Sequence, residues 1–334
     1  METKVVYVVI SGMDDIYFEQ VWASAWSLKY FNPDAYITLL TDDDTKQSIY
    51  SDTRKCALEF FDEIKVVEFD REYSSKEKSR WIKTNMRNLI EGDFLFVDAD
   101  TIVCGDLSGI DGLDCSIGAV LDENCQSREI CDYFIFRTMY PERLKQVYGV
   151  EYTPDVDVFN SGVLFVKDDA KSHQFFDKWH ENWLRSLSKG YVEDQLPLVK
   201  TCMDLNCPIT EISGEYNCQI CVSIQYLCDA KIIHTFASQG NSGLSPIVGS
   251  EIYKTIKRNG GLTDEVKSLF LNCKRSFVSP SPVLNKKWIK LRFLPANLYL
   301  QEYMDSEKMY DKFTVSVLNF LARTFGFLRR HIYK

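Results

Sequence analysis

Short apolar runs alternate with amphipathic stretches of helix length over the first hundred residues. Four runs have the length and composition of strands: Lys4 to Ile10, Ala35 to Leu40, Ile64 to Val67 and Phe94 to Val97. The first is a continuous apolar run, typical of a parallel strand buried on both faces. Helical spacing separates them at Tyr17 to Tyr30, in a segment through Cys56, and from about Lys76 to Ile90. Repeated β-α-β units of this length predict an α/β fold with a mostly parallel sheet, whose ligands bind at the carboxyl ends of its strands.

A second block continues the alternation. Phe159 to Lys167 predicts a strand with a polar start, and Ala170 to Leu187 predicts an amphipathic helix whose aromatic stripe belongs to the core. Glu193 to Cys202 starts with two acidic residues, which suit the dipole of a helix N-terminus. Lys231 to His234 predicts a short strand that ends on a histidine.

Composition narrows the class of protein. With 334 residues and 45% hydrophobic side chains, the chain can bury the core of one large α/β domain, alone or with an appendix. No G-x-G-x-x-G follows the first strand and no P-loop occurs, so the usual dinucleotide and ATP sites are excluded. The net charge of -9 argues against a dedicated nucleic-acid-binding protein.

The C-terminal end has a different composition. Residues 283–334 contain ten Lys or Arg against four acidic residues, together with many aromatic and aliphatic side chains. We therefore divide the chain into an α/β domain over residues 1–250 and a mostly helical, basic and aromatic region over residues 251–334. This region is interpreted either as a subdomain closing over the substrate or as a peripheral membrane attachment.

Cellular location follows from signals that the sequence lacks. No signal peptide is recognisable and no apolar run approaches the roughly 20 residues of a membrane span, so we expect a cytoplasmic protein, with possible peripheral attachment to the inner face of the cell membrane. The eleven cysteines are then expected to be mostly reduced. Cys218-x-x-Cys221, with Cys207 and Cys228, leaves a zinc site open as an alternative.

The segment Asp98-Ala99-Asp100 carries the main chemical signal. Two carboxylates one residue apart at the end of a buried strand can bind one hard divalent cation, which in turn neutralises a diphosphate. The alternative is a solvated acidic turn.

Four ordered motifs resemble those of family 8 glycosyltransferases. They are FVDADTIVCGDL (Phe96 to Leu107), Phe159-Asn160-Ser161-Gly162-Val163, Glu193-Asp194-Gln195, and Ile233-His234-Thr235-Phe236. The resemblance covers residues 1 to about 240 and implies a GT-A fold, a Rossmann-like sheet that binds a nucleotide-sugar. It also implies retaining transfer of a hexose, from UDP-glucose or UDP-galactose, to a saccharide or lipid-linked saccharide acceptor. Bacterial lipopolysaccharide or capsule assembly is the implied setting.

The resemblance also implies residue roles. Asp98, Asp100 and His234 would bind Mn²⁺, or Mg²⁺, and Ala99 lies between the two acids. The nucleotide-sugar would contact Gly12, Asp14, Arg80 and Lys83, and the sugar pocket would contain Asn160, Asp194 and Gln195 as the catalytic set. Because a neutral amide is a poor nucleophile, we expect front-face transfer in which Asp194 and Gln195 stabilise positive charge.

Structural roles remain open for the same residues. His234 can be a structural histidine, Asn160 and Gly162 can serve a strand bulge, and Asp194 can cap its helix. The basic residue that the family carries after the late histidine is missing; Arg80, Arg87 or Lys254 is a possible replacement. A nucleotidyltransferase, an inverting transferase and a non-catalytic binding module are the alternative functions.

Overall fold

The computed structural model describes residues 1–51, 53–69, 71–125, 135–152, 156–221, 223–236, 247 and 249–275, with 313–314, 316–317 and 320–321. Its strands are β1 (Lys4–Val8), β2 (Ile37–Thr41), β3 (Glu63–Val66), β4 (Phe94–Val97), β5 (Thr101–Val103), β6 (Ile117–Leu121), β7 (Phe159–Val166), β8 (Thr210–Glu211), β9 (Cys218–Gln219) and β10 (Ile232–His234). Its helices are α1 (Tyr17–Phe31), α2 (Asp43–Ser51), α3 (Ser75–Asn85), α4 (Ile135–Tyr148), α5 (Ala170–Leu187), α6 (Gln195–Asp204), α7 (Ser250–Asn259) and α8 (Asp264–Leu271).

Seven strands form one sheet in the order β3-β2-β1-β4-β7-β6-β8. All neighbours are parallel except β7, which is antiparallel to both β4 and β6. The predicted α/β fold with a mostly parallel sheet is thus confirmed. A second, small sheet has the order β5-β10-β9, and its β5 and β10 are antiparallel.

Alternate residues of β1 show why its whole run is apolar. Val5 and Tyr7 pack with Phe18 of α1 in one buried cluster, whereas Val6 and Val8 pack on the other face in a second cluster. Helices cover both faces of the sheet, so neither face of the strand meets water. Each such buried apolar side chain contributes about 1.5–3 kcal/mol.

Helix α5 covers the second face of the sheet and has the predicted bounds. It begins at a capping box between Asp169 and Ser172, which satisfies backbone donors of its first turn. Its aromatic stripe is fully buried, as predicted, and comprises Phe175, Phe176, Trp179 and Trp183.

Helices α3 and α6 differ most from their predicted bounds. Helix α3 ends at Asn85 and continues as a 3₁₀ turn at Met86–Asn88, whereas the sequence predicted one helix to Ile90. Helix α6 begins at Gln195 rather than Glu193. The segment through Cys56 is α2 followed by a 3₁₀ stretch over Thr53–Phe60. Strands β5, β6, β8 and β9 had no sequence prediction.

The chain divides into two units, residues 1–131 with 138–279 and residues 132–137 with 280–334. The first unit contains α7 and α8, whose Tyr253 and Phe270 belong to the same buried cluster as β1. Most of the basic region lies outside the described residues, so its membrane attachment and the predicted division near residue 250 stay predictions. Among the residues that the structure describes, no helix is long and apolar enough to cross a membrane.

Candidate active site

Several of the residues that the sequence singled out lie at one edge of the large sheet. The carboxyl ends of β1, β4 and β6 lie there, followed by Gly12, Asp98 and Asp122. Because β7 runs antiparallel to its neighbours, its polar start faces the same edge. The backbone confirms this placement, since the N–H of Asp98 donates to the carbonyl of Gly162 at 2.7 Å.

Asp98, Asp100 and His234 come together as predicted. One ligand atom from each lies within 4.8 Å of the other two, and they form the one group of three or more His, Cys, Asp or Glu side chains with this geometry in the described part of the chain. His234 Nε2 lies 3.2 Å from Asp100 Oδ1. Two carboxylate oxygens and one imidazole nitrogen fit a divalent cation that accepts both ligand types, such as Mn²⁺.

The three side chains of this triad lie close enough to shift one another's pKa. Burial raises the pKa of Asp98 and outweighs the opposing effect of Lys83. Burial acts the same way on Asp100, but the charge and hydrogen bond of His234 outweigh it and lower the Asp100 pKa. For His234, burial favours the neutral ring, yet the Asp100 carboxylate raises the pKa above its ordinary value.

Two basic residues on α3 join the triad to Asp194. The ammonium of Lys83 is buried and lies 3.1 Å from both oxygens of Asp98 and 3.1 Å from Asp194 Oδ2. Arg80, one turn earlier, lies 2.8 Å from Asp194 Oδ1. Burial alone would raise the Asp194 pKa, but these two cations hold it well below its usual range. Asp194 is therefore an ionised carboxylate.

Asp194 does not cap α6 with its side chain. It occupies the N-cap position, yet its carboxylate makes no capping hydrogen bond and instead accepts one from Ser161 Oγ at 2.8 Å. Trp179 Nε1 donates to the Asp194 carbonyl at 3.0 Å and fixes the backbone there. The capping interpretation is thus wrong. The side chain turns towards Lys83 and Arg80.

Gln195, at the first position of α6, is held by the start of β7. Its Nε2 donates to the Phe159 carbonyl, and its Oε1 accepts from the Ser161 N–H at 3.4 Å. The amide is half-buried and both of its polar atoms contact the β7 backbone. Its assignment to catalysis stays a prediction.

Asn160 belongs to a buried polar network that the sequence did not predict. Its Nδ2 donates to Asp122 Oδ1 at 2.8 Å, and its Oδ1 accepts from the Gly162 N–H and from Asn217 Nδ2, both at 2.9 Å. Asn217 Oδ1 lies 3.1 Å from His234 Nδ1. Burial raises the pKa of Asp122, with the Asn160 hydrogen bond acting in the opposite direction. The network therefore connects Asn160 to His234 and so to the candidate metal-binding triad.

Gly162 is required by the His234 ring. A Cβ at position 162 would lie 2.3 Å from His234 Cε1, which is far inside van der Waals contact. The ring cannot easily move away, since it also stacks on Phe236 with a centroid distance of 4.1 Å. The close approach explains why position 162 is a glycine. The register irregularity of the β6–β7 pair falls at the same place: Ala119 and Leu121 of β6 pair with Leu164 and Phe159 of β7, so the extra residues lie in β7 and include Asn160 and Gly162. The bulge that the sequence left open for these two residues is thus present as well.

The loop after β1 contains Gly12 and Asp14, which the sequence placed at the nucleotide. Both are exposed, and Asp15 organises the loop by accepting from the Gly12 N–H at 2.7 Å. Arg54 donates to the Gly12 carbonyl at 2.8 Å, and Lys257 of α7 donates to the carbonyls of Met13 and Asp15. The loop is thus fixed from two sides, and the roles of Gly12 and Asp14 stay predictions.

Two other sequence interpretations are wrong. Arg87 cannot replace the missing basic residue, because it binds the Gly92 carbonyl at 2.8 Å, before the amino end of β4 at the opposite edge of the sheet. The four-cysteine zinc site does not form: within the described ranges no cysteine belongs to a metal-binding cluster. Cys207 instead hydrogen-bonds Cys202, and Cys221 Sγ donates to the Thr235 carbonyl. Lys254 is exposed and forms an ion pair with Glu251 at 2.7 Å.

Comparisons with known proteins agree with this geometry. The family model described as "Glycosyl transferase family 8" matches residues 8–237. No curated protein matches the chain in sequence. Among solved structures, the WbbM bifunctional glycosyltransferase aligns with a TM-score of 0.51 at 14% identity, over 80% of this chain and 51% of that chain. This chain therefore spans about half the length of WbbM.

A second solved structure is the galactosyltransferase LgtC in complex with donor and acceptor sugar analogues. It aligns with a TM-score of 0.50 at 12% identity, over 80% of this chain and 99% of that chain. At these identities the structures support the GT-A fold alone. The family model covers well over half of the sequence, and on that basis the chain belongs to glycosyltransferase family 8 and is a glycosyltransferase with a GT-A fold.

Proposed function

We propose that this glycosyltransferase moves a hexose from UDP-glucose or UDP-galactose to a saccharide or lipid-linked saccharide, with retention at the anomeric carbon. The observation that carries the proposal is the cluster of Asp98, Asp100 and His234 at the carboxyl edge of the sheet. Mn²⁺, or Mg²⁺, is the proposed ion, and bacterial lipopolysaccharide or capsule assembly is the proposed setting. Family membership favours glycosyl transfer over the nucleotidyltransferase and binding-module alternatives.

The charge balance of the site favours a metal-bound diphosphate. When His234 is neutral, as metal binding requires, three carboxylates, those of Asp98, Asp100 and Asp194, face the cations Lys83 and Arg80. A divalent ion would turn this net negative site positive and suit it to the anionic donor and to the charge of the leaving diphosphate. The LgtC structure, with its donor and acceptor sugar analogues, supplies a precedent on the same fold.

Retention by front-face transfer is favoured by the state of the two candidate catalytic residues. Gln195 is a neutral amide whose polar atoms contact Phe159 and Ser161, so it is poorly suited to attack the anomeric carbon. Asp194 is ionised and held by Lys83 and Arg80. A fixed negative charge stabilises an oxocarbenium-like transition state without forming a covalent bond.

Donor binding tests the proposal directly. The metal-free protein would be titrated with UDP-glucose, UDP-galactose and GDP-mannose, with and without Mn²⁺, and donor hydrolysis would be measured in parallel. We expect one UDP-hexose to bind only with Mn²⁺, and Asp100→Ala to abolish that binding. Asp114→Ala removes a fully exposed carboxylate and serves as the control. Absence of UDP-sugar binding to the wild type in Mn²⁺ would contradict the proposal.

A further inference from the structure

The ring nitrogens of a metal-binding histidine have different tasks. One binds the ion, while the other usually donates a hydrogen bond that fixes the tautomer and the orientation of the ring. In His234, Nε2 faces Asp100 at 3.2 Å and Nδ1 faces Asn217 Oδ1 at 3.1 Å. Asn217 is fully buried, so water does not compete for this contact.

The orientation of both amides in the network follows from one backbone group. The Gly162 N–H can only donate, so the atom of Asn160 that it contacts at 2.9 Å must be the carbonyl oxygen. That oxygen also faces the Asn217 amide, which must therefore present its NH₂ group to it, at 2.9 Å. The other polar atom of the Asn217 amide, its oxygen, is therefore directed at His234 Nδ1.

The neighbouring hydrogen bonds support the same orientation of the Asn160 and Asn217 amides. Asp122 accepts from Asn160 Nδ2 at 2.8 Å, at the far end of the chain from His234. Asn124 Nδ2 donates to the Asn217 backbone carbonyl at 2.9 Å, and Asn124 Oδ1 accepts from the Gln219 N–H. These contacts hold the Asn217 segment against β6 and β7, so the amide cannot easily turn over.

We propose that Asn217 is a positioning residue that keeps the proton on His234 Nδ1 and so directs the Nε2 lone pair at the metal. An acceptor oxygen at 3.1 Å admits only an N–H at Nδ1. The inference deepens the proposed function and rests on it for the identity of the ion, but the proton on Nδ1 does not depend on the ion, because Nδ1 faces the Asn217 oxygen in the metal-free protein.

The tautomer can be read from nitrogen NMR of histidine. The sequence has four histidines, so the spectrum of ¹⁵N-histidine-labelled protein is simple, and His234→Gln assigns the signal of interest. In the metal-free wild type we expect Nδ1 to carry a proton that is hydrogen-bonded to Asn217, whether or not Nε2 also carries a proton towards Asp100. An unprotonated Nδ1 in the wild type would overturn the proposal without any variant.

Metal affinity provides the second measurement. Asn217→Leu removes the acceptor, and we expect Nδ1 to lose its hydrogen-bonded shift and the Mn²⁺ dissociation constant to rise about 10–100-fold, as for other groups that orient metal ligands. Asn217→Asp retains an acceptor for Nδ1 and should bind Mn²⁺ more tightly than Asn217→Leu. It also serves if the leucine variant fails to fold.

A buried asparagine elsewhere separates positioning from general destabilisation. Asn182 on α5 is also buried and donates to Thr201 Oγ1 at 3.0 Å. Asn182→Leu should lower stability but leave both the His234 signal and the Mn²⁺ affinity at wild-type values. Wild-type Mn²⁺ affinity in Asn217→Leu would overturn the inference. A wild type that binds no Mn²⁺, yet shows a protonated Nδ1 bonded to Asn217, would instead contradict the proposed function.

Discussion

Substitution of Gly162 by alanine tests whether the close approach of β7 to His234 shapes the metal site. The added Cβ would lie 2.3 Å from His234 Cε1, 2.8 Å from His234 Nδ1 and 2.9 Å from Asn160 Oδ1. Ordinary contact begins near 3.4 Å, so the ring must move by roughly 1 Å. Metal–ligand distances vary by only about 0.2 Å between good sites, so such a movement removes Nε2 from coordination.

The expected consequences of Gly162→Ala differ for stability and for metal affinity. Overpacking costs about 1–3 kcal/mol, and the melting temperature falls by about 2–4 °C for each kcal/mol in a protein of this size class. Loss of the histidine ligand should weaken Mn²⁺ binding at least tenfold, equivalent to about 1.4 kcal/mol. Isothermal titration of the metal-free protein measures the affinity, and differential scanning calorimetry measures the stability.

Two other glycines serve as controls for this experiment. Gly118→Ala places a Cβ 2.9 Å from Ile212 Cγ2, which overpacks the sheet away from the metal triad. Gly112→Ala meets nothing within 4 Å. We expect Gly118→Ala to lose stability and retain Mn²⁺ affinity, and Gly112→Ala to change neither. If Gly162→Ala binds Mn²⁺ as tightly as the wild type, the proposed constraint on His234 is refuted.

Three further predictions concern ionic contacts. In the wild type the buried Arg54 guanidinium donates to the Glu19 carboxylate at 2.7 and 3.0 Å. Glu19→Gln removes the charged partner of Arg54 and should destabilise the fold by about 3–5 kcal/mol in calorimetry. A loss of stability under about 1 kcal/mol would contradict this. Lys83→Met should lower kcat/KM for the donor about 10–100-fold, because charge-assisted hydrogen bonds are worth about 1.5–3 kcal/mol, whereas Lys83→Arg should retain more activity. Burial alone would raise the pKa of Asp42, but the Lys78 ion pair and the Thr45 hydrogen bonds outweigh burial and lower it. The Asp42 carboxylate therefore stabilises the fold at a pH above its unfolded pKa of about 3.9. This stabilisation is lost as the pH falls through the lower pKa of the folded state. Denaturant titrations from about pH 6 to 3 should therefore show a smaller acid-induced loss for Asp42→Asn than for the wild type, and equal losses would refute it.

The first four strands of the large sheet and the two carboxylates of the candidate metal site could be predicted because their signals are local. A continuous apolar run such as that of β4 predicts a buried strand, and the carboxylates that follow it in sequence must then lie at its carboxyl end. His234 was recognisable only through the order of four motifs. The structure brings it to Asp100 through the β5–β10 pairing, which joins residues more than a hundred positions apart.

The supporting network could not be predicted because its partners are distant in sequence. Asp122, Asn160 and Asn217 are separated by 38 and 57 positions and occupy different elements. Asparagines before short strands are common, and no local pattern tells which one faces a histidine. The fold alone supplies that information.

The wrong interpretations arose because residue type and spacing do not show where a side chain lies in the fold. Arg87 has the right charge but lies at the amino edge of β4. The four cysteines have a suggestive spacing, but Cys218 and Cys221 are buried, Cys207 is partly buried and Cys228 is exposed. Asp194 precedes a helix and has a capping side chain, yet the stronger charges of Lys83 and Arg80 attract its carboxylate. In each case a long-range contact decided between two local possibilities.

The most direct test of the account is a crystal structure of the wild type grown with Mn²⁺ and UDP, measured at the manganese absorption edge. The account predicts one strong anomalous peak within coordination distance of Asp98, Asp100 and His234 Nε2, with the diphosphate on its open side. Density for UDP without an anomalous peak at this triad, or a peak at another group of residues, would contradict it.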